Sequence, residues 1–232
     1  MVTPLLISAG NASEWTGPTG NNTWLLPGPE PSLVDAGVGR PEHVDAVARA
    51  LGDVPLVRVL ITHSHKDHVE GLPALRARWP ELQVYPPDEG DPRLEIISTP
   101  GHAPDHVCFF DAGSGDLYCG DLARIGGTIV IPAKKGGSLR EYLSSLRRIR
   151  DLRPRRMLPG HGPIITDPIA LIDAYLAHRA ERERQIVTAM NGGARTPEEI
   201  AVRVYPGLPS SLRAAAIDTV EAHLQKLREE GS

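Results

Sequence analysis

Between residues 63 and 68 the chain reads His63-Ser64-His65-Lys66-Asp67-His68, and no other stretch restricts its structure as tightly. In extended backbone alternate side chains point the same way. His63, His65 and Asp67 would then project together, with His68 turned toward the start of a following helix. Four ligand-competent groups in one loop need a rigid frame behind them. Val57 to Ile61 supplies it, as a continuous apolar and β-branched run of the kind found in strands buried on both faces. Imidazole and carboxylate together suit Zn²⁺, or another first-row ion such as Fe or Mn, better than Ca²⁺.

Strands are also predicted at Thr23 to Leu26 and Ser32 to Asp35, joined through Pro27-Gly28-Pro29 as a hairpin. Others are predicted at Leu82 to Tyr85, Leu94 to Ser98, Val107 to Phe110 and Leu117 to Cys119. A helix opens at Pro41, where Val44, Val47, Ala48 and Leu51 fall at helical spacing before Gly52. A second carries a Ser138/Glu141 capping pattern and the stripe Leu139, Tyr142, Leu143, Leu146 and Ile149. Strands alternating with helices make this an α/β chain with a substantial sheet. After Asp167-Pro168 only helical patterns follow. The division expected is therefore a catalytic domain over 1–167 and a small helical module over 168–232.

Composition narrows the function classes. The 232 residues are 41% hydrophobic and 23% charged, ordinary for a globular protein. A formal charge of −4 gives no global pull toward nucleic acid or acidic membrane. No stretch approaches the ~20 apolar residues of a membrane span, and no signal peptide is read at Met1 to Gly10. With two cysteines, Cys108 and Cys119, the expectation is buried thiols in a reduced, cytoplasmic protein. Cys119 is read as packing rather than catalysis.

Three further residues are weaker alone. His102 in Pro100-Gly101-His102 and His161 in Pro159-Gly160-His161-Gly162 could each be core or turn histidines, and Asp121 after Gly120 could be a strand-end turn residue. Each, however, follows a predicted strand and adjoins glycine, which permits close backbone approach to a ligand. Sheet ends are where α/β folds place their sites.

Taken in order, Thr62 to His68, Gly101-His102, Gly120-Asp121 and Gly160-His161-Gly162 resemble the ligand set of the metallo-β-lactamase superfamily. The resemblance implies an αββα sandwich with metals at one edge. His63, His65 and His102 would hold one ion, and Asp67, His68 and His161 a second. Asp121 would bridge them, with Asp67 and Asp121 as the catalytic carboxylates. Two Zn²⁺ ions, with Fe or Mn as alternatives, would activate a bridging hydroxide without a serine or cysteine nucleophile. Asp at the bridging position is similar to the glyoxalase II and nuclease branches rather than to zinc β-lactamases with Cys there.

The C-terminal stretches, Ala177 to Ile186, Thr196 to Ile200 and Ala222 to Leu227, resemble the winged-helix tail of the β-lactamase-like protein 2 group. Gly101-His102-Ala103-Pro104-Asp105-His106 is similar to that group's Gly-His-Thr-x-x-His segment, with Ala103 in place of Thr. The function expected is phosphodiester cleavage of single-stranded RNA, as the resemblance implies, with thioester or ester hydrolysis, glyoxalase II-like or polyketide-releasing as in fungal relatives, as the alternative. For RNA, Lys134 and Lys135 are the candidate substrate-binding residues, supported by Arg147, Arg148, Arg150, Arg153, Arg155 and Arg156. An aromatic content of 4% offers few stacking platforms for bases. For a small acyl substrate, Trp15, Trp24 and the segment Ile125 to Ile131 are candidates for an apolar trough. A non-catalytic metal-bearing scaffold is a third reading. The helical module is expected to shape the cleft or a homodimer interface, since no clear wing precedes Gly231-Ser232.

Overall fold

The computed structural model describes residues 3–14, 16–85, 91 and 93–231. Two sheets stack face to face. The first has strand order β1 (Leu5–Ser8), β2 (Asn22–Leu26), β3 (Ser32–Val34), β4 (Arg58–Leu60) and β5 (Gln83–Tyr85). The second runs β6 (Glu95–Ser98), β7 (Val107–Asp111), β8 (Asp116–Gly120) and β9 (Arg156–Pro159). The predicted β2–β3 hairpin is present, with Trp24 opposite Val34. β3, β4 and β5 pair in parallel, as do β8 and β9.

Strand periodicity of two sorts the core into layers. Trp24, Leu26, Val34 and Leu60 of the first sheet meet Val107, Phe109, Tyr118 and Leu158 of the second in the central layer. Their neighbours Leu25, Leu33 and Val59 face outward onto α1 (Pro41–Leu51) and α3 (Leu72–Arg78). On the other side Cys108, Leu117, Cys119 and Met157 pack under α4 (Leu139–Leu152) and the start of α5 (Pro168–Asn191). This is the expected αββα sandwich. Both cysteines are free and buried, and burial pushes the Cys108 thiol up to about 12.

α5 continues past the sandwich. Its later residues Ile186 and Ala189 join Ile200 and Ala201 of α6 (Pro197–Val204) and Ala216 and Val220 of α7 (Arg213–Glu229) in a separate cluster. A capping box closes on Thr196 and Glu199 at the start of α6. At α4 the Ser138 hydroxyl accepts from Glu141 N. The edge strand β1 and the helix α3 are among the elements that lie outside the sequence-based expectations. Among the described residues no helix is long and apolar enough to cross a membrane.

Candidate metal centre

β6, β8 and β9 run in the same direction, because β7 is antiparallel to both its neighbours and β8 is parallel to β9. Their C-terminal ends carry His102, Asp121 and His161. The fourth ligand segment follows β4 in the other sheet. Backbone hydrogen bonds fasten the two sheets at this edge, from Val107 N to Thr62 O and from Asn22 N to Gly160 O, 2.8 Å each. In β8 the register skips one residue between Tyr118 and Gly120, and such a bulge re-aims the residues that follow it. Asp121 comes next.

The extended run ends sooner than the sequence implies. α2 (Lys66–Val69) starts with His65 as its cap, so Asp67 and His68 both lie in its single turn. Ser64 and Lys66 are exposed, as expected for residues facing away from the site.

All seven predicted ligands converge. One group is His63, His65 and His102, another is Asp67, His68 and His161, and His63, His68 and Asp121 form a third that links them. His65 Nδ1 lies 3.1 Å from His63 Nε2 and 2.9 Å from His102 Nε2. Asp121 reaches both groups, with Oδ2 3.5 Å from His102 Nε2 and Oδ1 3.2 Å from His161 Nε2. Gly160 makes the approach possible. A Cβ there would come within 2.8 Å of His68 Cε1 and 3.0 Å of Asp121 Oδ1.

The surroundings fix which nitrogens face inward. His102 Nδ1 donates to Val130 O at 2.8 Å, because a carbonyl can only accept. Thr62 Oγ1 donates to Asp35 and so accepts from His63 Nδ1 at 3.0 Å. His68 Nδ1 donates to Asp35 Oδ2 at 2.8 Å. Three Nε2 atoms are thereby turned toward the centre, the arrangement typical of metal-binding histidines. Asn21 Nδ2 donates to Asp67 Oδ2 at 3.0 Å. His106 Nε2 accepts from Asp121 N at 3.1 Å.

This arrangement fits metal ions. His65 Nδ1 can donate at most one proton, so at least one of its two short imidazole contacts has no hydrogen bond in it, which a cation beside these nitrogens would relieve. Asp121 Oδ1 is buried without a hydrogen-bond partner even though two imidazoles lie near it. Burial holds His63 and His65 below the ordinary histidine range, hence neutral and ready to bind a metal. At Asp121 burial works against the charge. The facing imidazoles of His161 and His68 outweigh it and hold the carboxyl well below the usual range. His161 is opposed by burial too, yet Asp121 and Asp67 raise it to about 9.

The candidate substrate lysines lie elsewhere. Lys134 Nζ is 2.7 Å from Glu221 Oε1 on α7, and neither Lys134 nor Lys135 lines the cavity beside the centre. Trp24 is a core residue, 3% exposed, and Trp15 lies outside the described residues. Sequence reasoning missed Asp35, Asn21 and Thr62. A carboxylate directly after the apolar strand Ser32–Val34 was the available signal.

The family model of the metallo-β-lactamase superfamily matches residues 16–92 and 87–161. The chain belongs to this superfamily. The β-lactamase-associated winged helix domain matches residues 196–232, so α5 lies between the matched regions. Among metallo-β-lactamase relatives, a β-lactamase-like protein 2 homolog of Caenorhabditis elegans is 31% identical, over 91% of this chain and 80% of its own. An atrochrysone carboxyl ACP thioesterase of Aspergillus chevalieri is 30% identical, over 86% of this chain and 72% of its own. In structure the chain is similar to a metallo-β-lactamase family protein of Thermus thermophilus. The TM-score is 0.77 at 23% identity, over 98% of this chain and 94% of the other. A superfamily fold in a di-iron-bound crystal form aligns with TM-score 0.60 at 24% identity, over 75% of this chain and 98% of the other. The chain is a metallo-β-lactamase-fold hydrolase with a candidate His/Asp metal site.

Proposed function

We propose that this hydrolase cleaves an acyl thioester or ester, with the acyl tail lying between the metal centre and the terminal helices. One observation carries the reading. A cavity of about 580 Å³ opens on His65, Asp67, His102, Asp121 and His161 and extends to α7. Away from the ligands it is lined by Ile129, Val130, Tyr205, Leu208, Leu212 and Ala216. Pockets of this size with an apolar body and polar groups at one end suit small ligands with an apolar part. Within the segment expected to form an apolar trough, Ile125 to Ile131, the residues Gly126 to Val130 supply one wall. Similarity to a fungal acyl carrier protein thioesterase supports the same class.

Single-stranded RNA is the less favoured substrate, because the cations that reading needs are placed elsewhere. Lys134 pairs with Glu221, Arg150 with Asp173 and Arg156 with Asp116. Among the described residues Arg124 is the one arginine or lysine on the cavity wall.

Two bound ions, Zn²⁺ or alternatively Fe or Mn, would acidify a water and polarise the scissile carbonyl. The donor set of imidazoles and carboxylates suits all three metals, and a di-iron relative supports iron as an alternative. Asp121 directs one oxygen to each ligand group and so sets their separation. Asp67 Oδ2 accepts from Asn21, which would fix this carboxylate as a ligand of one ion and as a proton acceptor beside the water. The apolar wall excludes bulk water from the acyl tail.

The test is a panel of acyl thioesters, esters and single-stranded RNA, offered to the Zn²⁺-, Mn²⁺- and Fe²⁺-loaded protein. Thioester or ester turnover that disappears with chelator and in His65→Ala, with RNA intact, is expected. RNA cleavage that requires His65 without acyl turnover would replace the reading.

A further inference from the structure

Arg179 is among the largest fully buried side chains of the protein, 1% exposed, and it lies on α5 rather than in the ligand loops. Burying a guanidinium is costly unless its hydrogen bonds are met. Here they are met in part, by neutral oxygens, while Nε is buried without a hydrogen-bond partner. One terminal nitrogen donates to Ile129 O and to Thr128 Oγ1, the latter at 3.1 Å. The next peptide unit is Val130, whose carbonyl accepts from His102 Nδ1.

A second connection leaves the same side chain. The guanidinium carbon lies 5.6 Å from the centre of the Tyr142 ring, within cation–π range. The Tyr142 hydroxyl donates to Leu122 O at 2.8 Å, one residue after Asp121. Gly101, the neighbour of His102, fits so closely that a Cβ would come 2.3 Å from Tyr142 Cα. One turn earlier on α5, the Tyr175 hydroxyl accepts from Arg124 N at 3.3 Å and donates to Arg124 O at 2.9 Å, with Gly127 O at 3.2 Å.

We infer that Arg179 is a positioning residue for the metal centre, holding segment 124–130 and Tyr142 and through them the orientation of His102 and Asp121. α5 thereby sets metal affinity from outside the ligand loops. This inference rests on the metal-site part of the proposed function and is independent of the acyl substrate.

The test compares Arg179→Met and Arg179→Lys with Ile186→Ala, a buried position on the same helix that packs in the other cluster. Zn²⁺ affinity is read by chelator competition well below each variant's Tm, and ligand geometry by the visible spectrum of Co²⁺-loaded protein. Arg179→Met is expected to weaken Zn²⁺ binding by about 10- to 100-fold, the usual effect of losing an outer partner of a metal ligand, and to change the Co²⁺ spectrum. Arg179→Lys, which keeps the charge without the planar fork, is expected to recover part of the affinity. Ile186→Ala is expected to lower Tm while leaving affinity and spectrum unchanged. Wild-type affinity and spectrum in Arg179→Met, or equal changes in Ile186→Ala, would overturn the inference. If Arg179→Met does not fold, Tyr175→Phe removes a single hydroxyl from the same segment. Weaker Zn²⁺ binding then supports the inference, and unchanged binding overturns it. No substrate enters these measurements, so a failed acyl panel leaves their outcome standing.

Discussion

Asp35 Oδ2 accepts from His68 Nδ1 at 2.8 Å, and the same carboxylate accepts from Thr62 N at 2.9 Å. One buried acid thus orients a histidine of the Asp67/His68/His161 group and, through Thr62, His63 of the other. In Asp35→Asn the amide nitrogen would donate to His68 Nδ1, moving the ring proton to Nε2, where it faces the metal position. Asn tolerates the left-handed backbone at this residue (φ 61), so the fold should survive. Metal affinity is expected to fall about 10- to 100-fold. Metal stoichiometry after dialysis against graded chelator measures it, and wild-type retention would show that Asp35 does not orient His68.

Gly160→Ala is a steric test of the same centre. The position does not need a left-handed backbone, so the added methyl acts through contact with His68 Cε1, Asp121 Oδ1 and, less closely, the backbone carbon of Gly120. The variant should fold, bind less metal and lose turnover. Full metal content with normal activity would mean that the loop yields and that the close approach is not required.

Cavity length should set acyl preference. Ala215 lines the cavity from α7, and Ala215→Phe would occupy space used by a long tail. KM for long acyl thioesters is expected to rise about 10-fold or more, roughly the loss of two or three buried methylenes, with acetyl thioesters unaffected. A uniform change across chain lengths would place the tail elsewhere.

His43 should make stability depend on pH. It is buried, its Nε2 donates to Thr23 Oγ1 at 2.8 Å, and its Nδ1 has no hydrogen-bond partner. Burial lowers it from 6.5 to about 4. The unfolded chain therefore takes up the proton first, so its contribution is full above pH 6.5 and is lost as pH falls toward 4. At pH 5 the loss is ~2 kcal/mol. Metal-free wild type should lose more Tm between pH 7.5 and 5 than metal-free His43→Gln, in which the other titrating groups are shared. Parallel pH profiles would contradict this.

The convergence of the seven candidate ligands was legible because four of them share one short run and the others sit beside glycines at strand ends. Their supports were not. Asp35, Asn21 and Thr62 act on partners that the fold, rather than the sequence, brings close, and in sequence they read as ordinary polar residues flanking strands. Lys134 shows the converse. Its local surroundings look like an open cation site, while Glu221 reaches it only through the packing of α7. β1 escaped because it is a four-residue edge strand with Leu5 and Leu6 exposed, which blurs any buried pattern. Asp67 reads as part of an extended run because its sequence carries no signal that a helical turn begins at Lys66.

α5 also bears on how such a chain can be inherited. Ile172 and Tyr175 complete the core beneath the second sheet, while Ile186 and Ala189 complete that of the terminal helices. A recombination point anywhere within Pro168–Asn191 would divide a helix that both cores share. The terminal segment cannot be exchanged between relatives as a free cassette. A viable crossover falls in the turn after Asn191, and only with a donor whose α6 and α7 match the resident helix face.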